Sequence, residues 1–216
     1  MNLHLNDDVP DGLTSTARAF VSTHGIRVDT SSIEEHRDRW LARGIPSAVV
    51  DRMAAFQRRW GGLVLPPGPQ YEGGPRYFHP DAPEAAPSGG WSFDAGDQRC
   101  SVAYSFMIGP ADEFGIDGDR WTPLHASVEG WVESLALTHR ASLRAKQITK
   151  VTGDDVEGIA LDDYEPVREA QGLADTWWRG ADSLVAIYSG RAECLAFPAA
   201  RTALIYSGLD EFGLRG

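Results

Sequence analysis

Between Gly61 and Gly90 the chain places seven glycines and seven prolines in thirty residues, and regular structure is not expected to continue through such a stretch. Proline lacks the amide hydrogen that a helix or a sheet ladder needs, and glycine loses more backbone freedom on ordering than any other residue. The chain therefore divides into a part before Gly61 and a part that resumes at Trp91. Irregular segments of this length are uncommon inside a compact domain and are usually binding loops or disordered. Gln70-Tyr71-Glu72-Gly73-Gly74-Pro75-Arg76-Tyr77-Phe78 is aromatic enough to be expected against a core. Residues 81–90 have nothing comparable to anchor them.

Residues 1–60 read as helical. Leu13, Ala17, Phe20 and Val21 fall on one helical face, with Gly25 as the stop. Ser31-Ser32-Ile33-Glu34 fits a capping box opening a second helix that buries Ile33, Trp40 and Leu41 and ends at Gly44. A third follows Pro46, with Val49, Met53, Phe56 and Trp60 along one side and Gly61-Gly62 as its end, the first glycine taking the left-handed cap.

After Trp91 the pattern turns to strands. Trp91-Ser92-Phe93 alternates, Ser101–Ile108 places Val102, Tyr104, Phe106 and Ile108 on one face, and a meander follows through Phe114-Gly115-Ile116, the Asp117-Gly118-Asp119 turn and Trp121-Thr122-Pro123-Leu124. Ser127 then caps a helix that turns Val128, Trp131, Val132, Leu135 and His139 to one side. Leu184–Tyr188, Cys194–Phe197 and Thr202–Tyr206 are strand-like, with Ser189-Gly190-Arg191 as the turn between the first two. The expected fold is α+β: a twisted, mainly antiparallel sheet of about five to seven strands with helices packed on it, N-terminal helices first. Three segments are expected: a helical segment (1–44), a core (45–141) and a C-terminal α+β extension (142–216) packed on the same core.

Charge narrows the function. Twenty Lys and Arg stand against 31 Asp and Glu, a formal charge of −11. This weighs against nucleic-acid binding, which relies on clustered cations that release counterions, and against an anionic membrane surface. The first sixty residues are neutral, with eight Arg against eight acids, so the whole surplus lies after Trp60. The start carries Asp7 and Asp8 and no basic, apolar leader. No run is long and apolar enough for a membrane helix, and two cysteines, Cys100 and Cys194, are too few for a disulfide framework. These features lead to the expectation of a cytoplasmic protein.

No catalytic constellation stands out. G-x-S-x-G, Walker, H-E-x-x-H and strand-linked G-x-G-x-x-G motifs are missing. The six histidines are scattered, and His79-Pro80-Asp81 offers a metal two ligands without a third. Asp112-Glu113 and Asp117-Gly118-Asp119 gather four carboxylates, but without the ligand ladder of an EF-hand. A carboxylate pair of the glycosidase kind could hide among 31 acids, since that mechanism needs only two at the right separation. The expectations are no catalytic residues, no metal and no cofactor. Trp177-Trp178 is the unusual aromatic pair, because adjacent strand residues face opposite sides and one of them is left half exposed unless both faces are covered.

An ordered set of motifs spans residues 45–141: an amphipathic helix ending in Trp60-Gly61-Gly62, then Leu63-Val64-Leu65-Pro66, Tyr71-Glu72-Gly73-Gly74-Pro75 with Phe78, the strand Phe106-Met107-Ile108-Gly109, the acidic turn to Trp121, and the helix entered through Ala126-Ser127 with Trp131. This order resembles the SUKH superfamily, the bacterial immunity proteins that also include yeast cell-wall regulators. The chain departs from that pattern in its longer Gly/Pro segment and in residues 142–216. The resemblance implies an α+β domain and a non-catalytic role, the binding and neutralising of a cognate protein toxin. An acidic surface suits a basic toxin, because complementary charge speeds and selects encounter. Asp112, Glu113, Asp117 and Asp119 are the expected interface charges, with Tyr71 and Trp178 as aromatic anchors. The alternatives are a small acidic hydrolase using a carboxylate pair or an isolated histidine, and a regulatory scaffold module without a toxin partner.

Overall fold

A computed structural model describes residues 3–5, 9–87 and 89–215; Asp7 and Asp8 lie outside the described residues. In chain order the elements are β1 (Leu3–Leu5), α1 (Ser15–His24), β2 (Ile26–Val28), α2 (Arg37–Ala42), α3 (Ser47–Trp60), β3 (Leu63–Val64), β4 (Pro75–Ala85), β5 (Trp91–Gln98), β6 (Ser105–Ile108), β7 (Phe114–Asp117), β8 (Trp121–His125), α4 (Val128–Arg144), β9 (Gln147–Thr152), β10 (Glu165–Pro166), β11 (Asp175–Arg179), β12 (Ser183–Tyr188), α5 (Gly190–Cys194), β13 (Thr202–Ser207) and α6 (Glu211–Arg215). The chain is α+β with antiparallel pairing, N-terminal helices first. Its strands are shared among three sheets: β1-β2-β3, β4-β5-β6-β7-β8 and β10-β11-β12-β13-β9. The two larger sheets have five strands each.

The N-terminal helices form where their apolar stripes predict, with local differences at the caps. Thr14 caps α1 by accepting from the Ala17 amide, and the helix buries Ala17, Phe20 and Val21. At the second site Ser32, not Ser31, accepts from Glu34, and it opens a single 3-10 turn (Ile33–His36) that leads into α2. The reciprocal arm of the capping box is missing because the Glu34 carboxylate pairs with Arg37 at 2.5 Å. Trp40 is buried, but Leu41 is 40% exposed, so the buried face is narrower than expected. In α3 the expected Val49, Met53, Phe56 and Trp60 are all buried. Its end uses Gly62, not Gly61, in the left-handed region: φ is +75°, and a Cβ there would stand 2.1 Å from the Val28 carbonyl oxygen.

The Gly/Pro stretch is more regular than expected. Residues 75–85 form β4, and residues 81–85 pair with β5 through Asp81↔Asp94, Glu84↔Ser92 and Ala85↔Trp91. An edge strand tolerates proline because one row of its amides has no ladder to join, and three register shifts along the β4–β5 pair absorb the irregular backbone. Four successive residues before β4, Tyr71 to Gly74, have φ of 53°, 50°, 93° and 79°. Two of these are not glycine, a strain held in place by the contacts of Tyr71 and Glu72 described below.

Helix α4 joins the two larger sheets. Ten of its residues are buried and they lie all around the helix, the pattern of a central helix rather than a surface one. Trp131 packs on Phe114 of β7 at a ring separation of 5.1 Å, while Ser134 accepts from the Trp177 indole of β11 at 2.9 Å. Glu133 receives the Thr14 amide at 2.6 Å and its hydroxyl at 2.7 Å, which ties the start of α1 to α4. Buried residues from Leu13 to Leu214 form one continuous core cluster.

Two expectations for the last third are corrected. Ser189-Gly190-Arg191 does not turn a hairpin; it opens α5, and Cys194–Phe197 is the end of that helix and the turn after it. The reason is tertiary. Asp175 accepts from the amides of Ser189 at 3.1 Å and Gly190 at 3.3 Å, supplying partners that the first amides of a helix otherwise lack.

Candidate functional site

The five-stranded sheet of β4 to β8 has one face in the core and one outward. Phe93, Phe106, Ile108, Phe114, Ile116 and Leu124 point inward and are buried. Strand alternation turns Asp94, Met107, Gly115, Asp117, Trp121 and Pro123 to the other side. Register then lines these residues up across strands: Asp81 opposite Asp94, Asp94 opposite Met107, Met107 opposite Gly115, and Asp117 opposite Trp121.

Trp121 lies flat because glycines make room for it. A Cβ on Gly109 would stand 2.7 Å from its ring, and one on Gly115 2.6 Å. With Ala86, Pro87, Met107 and Pro110 it walls a hollow of about 320 Å³, with Glu84, Asp117 and Asp119 at the rim and Arg120 as the cation among its lining residues. Apolar walls beneath a ring of carboxylates suit the stem and charged head of a lysine or arginine, with Trp121 available for a cation–π contact.

Beside the hollow, Asp94 carries the clearest electrostatic signature on this face. Its pKa is pushed up to about 6, first by burial and then by the charges of Asp81, Glu84 and Asp97. Carboxylates opposed across a strand pair repel, so this side of the sheet gains when a cation arrives. Tyr77 donates to Asp97 at 2.9 Å and fixes one member of the group.

The residues singled out from sequence do not form one patch. Asp117 and Asp119 line the hollow. Glu113 is half-buried, accepts from the Ala111 amide at 2.7 Å, and thereby closes its own turn. Asp112 is exposed at φ 66° and already paired with Arg52 at 2.7 Å. Tyr71 is corrected as an anchor: it is 2% exposed, and its hydroxyl donates to Asp175 at 2.7 Å. Trp178 is the half-buried member of its pair, as Trp177 takes the core, but it belongs to the other large sheet, where its indole donates to Thr176 at 3.1 Å. Asp81, Glu84, Asp94, Asp97 and Trp121 were missed. The alternation from Trp91 to Asp97 was the available signal for Asp94, whereas Asp81 and Glu84 were hidden in a stretch read as irregular.

Two further groups titrate abnormally inside the core. Asp175 and His125 are both fully buried. Burial pushes the Asp175 carboxyl up to about 7 against the lowering effect of its hydrogen bonds from Tyr71, Gly190 and Ser189. Burial alone holds His125 down at about 3, and neither of its ring nitrogens has a partner among the described residues. Nearby, Glu72 accepts from Tyr104 and pairs with Arg191 at 2.7 Å, which anchors the strained turn.

Among the described residues no group of three or more His, Cys, Asp or Glu is placed to hold a metal, and no helix is long and apolar enough to cross a membrane. Cys100 is exposed and Cys194 buried, both as free thiols. No family model, curated protein or solved structure matches the chain.

Proposed function

We propose that this chain is a cytoplasmic, non-catalytic immunity-type binding protein of SUKH-like kind, which neutralises a basic protein toxin through the outer face of the β4–β8 sheet. The observation that carries the reading is the acidic hollow around Trp121: a seated aromatic ring, apolar walls and a carboxylate rim, in the part of the chain after Trp60 that holds all of the surplus negative charge. Steering by that charge accelerates encounter, and the partly buried aromatic supplies the lasting contact. The order of motifs from Trp60-Gly61-Gly62 to Trp131 supports the same reading.

The test begins with co-purification from the native host and mass spectrometry, followed by surface plasmon resonance with the recovered basic partner. Reversing Glu84, Asp117 and Asp119 to lysine is expected to slow association by about tenfold or more and to flatten its salt dependence. Trp121→Ala is expected to act on dissociation instead, accelerating it by on the order of 30-fold, as loss of an aromatic anchor does. Unchanged kinetics in both variants would remove this face from the interface.

One observation favours a hydrolase: Asp94, with a pKa of about 6 beside other carboxylates, has the property of a general acid. That reading requires Asp94→Asn to abolish turnover of a glycoside or ester substrate panel. Binding to a basic partner that survives Asp94→Asn counts for the immunity role, and a stable partner with no toxic activity points to a scaffold module.

A further inference from the structure

Away from the acidic face, α1 and α4 lie side by side and leave a groove of about 460 Å³, closed at one end by α6. Its apolar part includes Phe20, Leu143 and Phe212, the last two 74% and 68% exposed. Its polar part holds two cations, Arg140 and Arg144, beside the imidazoles of His24 and His139 and three hydroxyl side chains, and no carboxylate lines it among the described residues. On a chain of charge −11 such a lining runs against composition.

The donors in this lining are incompletely used. Nε2 of His139 and Nε of Arg140 are buried without a hydrogen-bond partner among the described residues. Arg140 donates through another nitrogen to Thr16 at 3.1 Å, and Arg144 reaches Asp210 only at 3.4 Å. Burial, followed by repulsion from Arg179, lowers the Arg140 pKa, with Glu169 offsetting part of this. His24 and His139 stand with ring centres 4.4 Å apart. A guanidinium carries five N–H donors, and Arg140 and Arg144 each spend one on the bonds to Thr16 and Asp210, which leaves both able to engage an oxyanion lodged in the groove.

We propose that the α1–α4 groove binds a small amphiphile with an anionic head, an aliphatic or aromatic monocarboxylate whose apolar body lies along Phe20, Leu143 and Phe212. The lining residues of α4 run from Ala136 to Arg144, a stripe of about 12 Å at the helical rise, which a medium-length chain spans. The groove is in the size range of small-molecule sites. This site is independent of the toxin-binding face.

The test is isothermal titration of the full chain with sodium decanoate below its micelle concentration, in parallel with decyltrimethylammonium, which has the same tail and the opposite head. Decanoate is expected to bind one to one in the micromolar range, and the ammonium compound to bind at least tenfold more weakly, roughly the effect of reversing one charge at a partly desolvated site. Arg144→Glu and Leu143→Glu, both on exposed side chains that leave the core intact, are each expected to weaken decanoate by about tenfold. Glu84→Lys on the acidic face is expected to leave it unchanged, which separates this result from the fate of the toxin-binding reading. Equal binding of the two heads, binding indifferent to both groove variants, or no heat up to about 1 mM decanoate overturns the proposal. Concentration-dependent dimerisation without decanoate binding assigns the groove to a second copy and overturns it equally.

Discussion

Asp175→Ala is expected to lower the unfolding free energy by about 3–5 kcal/mol, because it removes the acceptor on which several buried donors converge. The Asp175 side chain is fully buried and accepts from the Tyr71 hydroxyl through both oxygens, at 2.7 and 2.8 Å, and from the amides of Ser189 and Gly190. Without it the hydroxyl and two amides stay buried with no acceptor, and the strained turn at Tyr71-Glu72 loses one of its two anchors. For a chain of this size the thermal midpoint should fall by roughly 6–20 °C. Asp175→Asn separates shape from charge. Oδ1 alone takes the two amides and one of the Tyr71 contacts, so the amide keeps the acceptor where it matters while removing the ionisable group. The folded-state pKa of Asp175 is raised to about 7, so its contribution to stability is complete below the unfolded value near 4 and is lost as pH rises toward 7. Asp175→Asn should therefore come level with the parent at about pH 4 and exceed it by a margin that grows from pH 5 to pH 8 in thermal unfolding. An Asn variant as damaged as the Ala variant at pH 8 would show that the carboxylate charge itself is needed.

His125→Leu is expected to reveal the opposite dependence. The imidazole is buried against Trp131 with a folded-state pKa of about 3, below its unfolded value of 6.5. Unfolding below pH 6.5 takes up a proton, so this contribution is present above pH 6.5 and is lost as pH falls toward 3, on the order of 4 kcal/mol over the window. Asp175 works in the other direction over nearly the same range, and Asp94 adds to Asp175 more weakly because it is partly exposed. The parent should thus show a shallow stability profile between about pH 4 and 6.5. Replacing His125 leaves the carboxylates unopposed, so the variant should become clearly more stable at pH 5 than at pH 8, while Asp175→Asn should become acid-labile. Chemical denaturation across pH 4–8 measures the three slopes, and parallel profiles would refute the opposition. At neutral pH His125→Leu should cost little, since neither ring nitrogen has a partner to lose among the described residues.

The elements that could be read from sequence were those whose side chains declare one buried stripe. Helix α3 showed Val49, Met53, Phe56 and Trp60 at helical spacing, and β12 and β13 showed apolar runs of strand length. Strand β9, Gln147–Thr152, was invisible because its six residues are exposed or half-exposed and it exists only through its ladder with β13. Strand β4 was hidden by prolines that an edge position tolerates. Helix α5 was hidden by a Ser-Gly pair whose amides find Asp175 fifteen residues earlier in the chain.

The candidate site divides in the same way. Asp117 and Asp119 were legible because the hairpin turn keeps them adjacent in both sequence and space. Asp112 was equally visible, yet its charge is answered by Arg52, sixty residues away in sequence. Tyr71 and Trp121 illustrate the limit most clearly: both are aromatic residues within the recognisable motif order, yet Tyr71, expected as an anchor, is buried, and Trp121, given no role from sequence, lines the hollow.

The sequence by itself determined the class of fold, the neutral helical start and the placement of all surplus acidity after Trp60, because backbone propensity, apolar period and formal charge are local properties that survive in any arrangement of the chain. Only the tertiary structure decided which face each carboxylate joins, that Tyr71 turns inward to Asp175, and that Trp121 lies over Gly109 and Gly115 among Glu84 and Asp117. Those outcomes depend on strand register and on burial, and each is fixed by residues far apart in the chain.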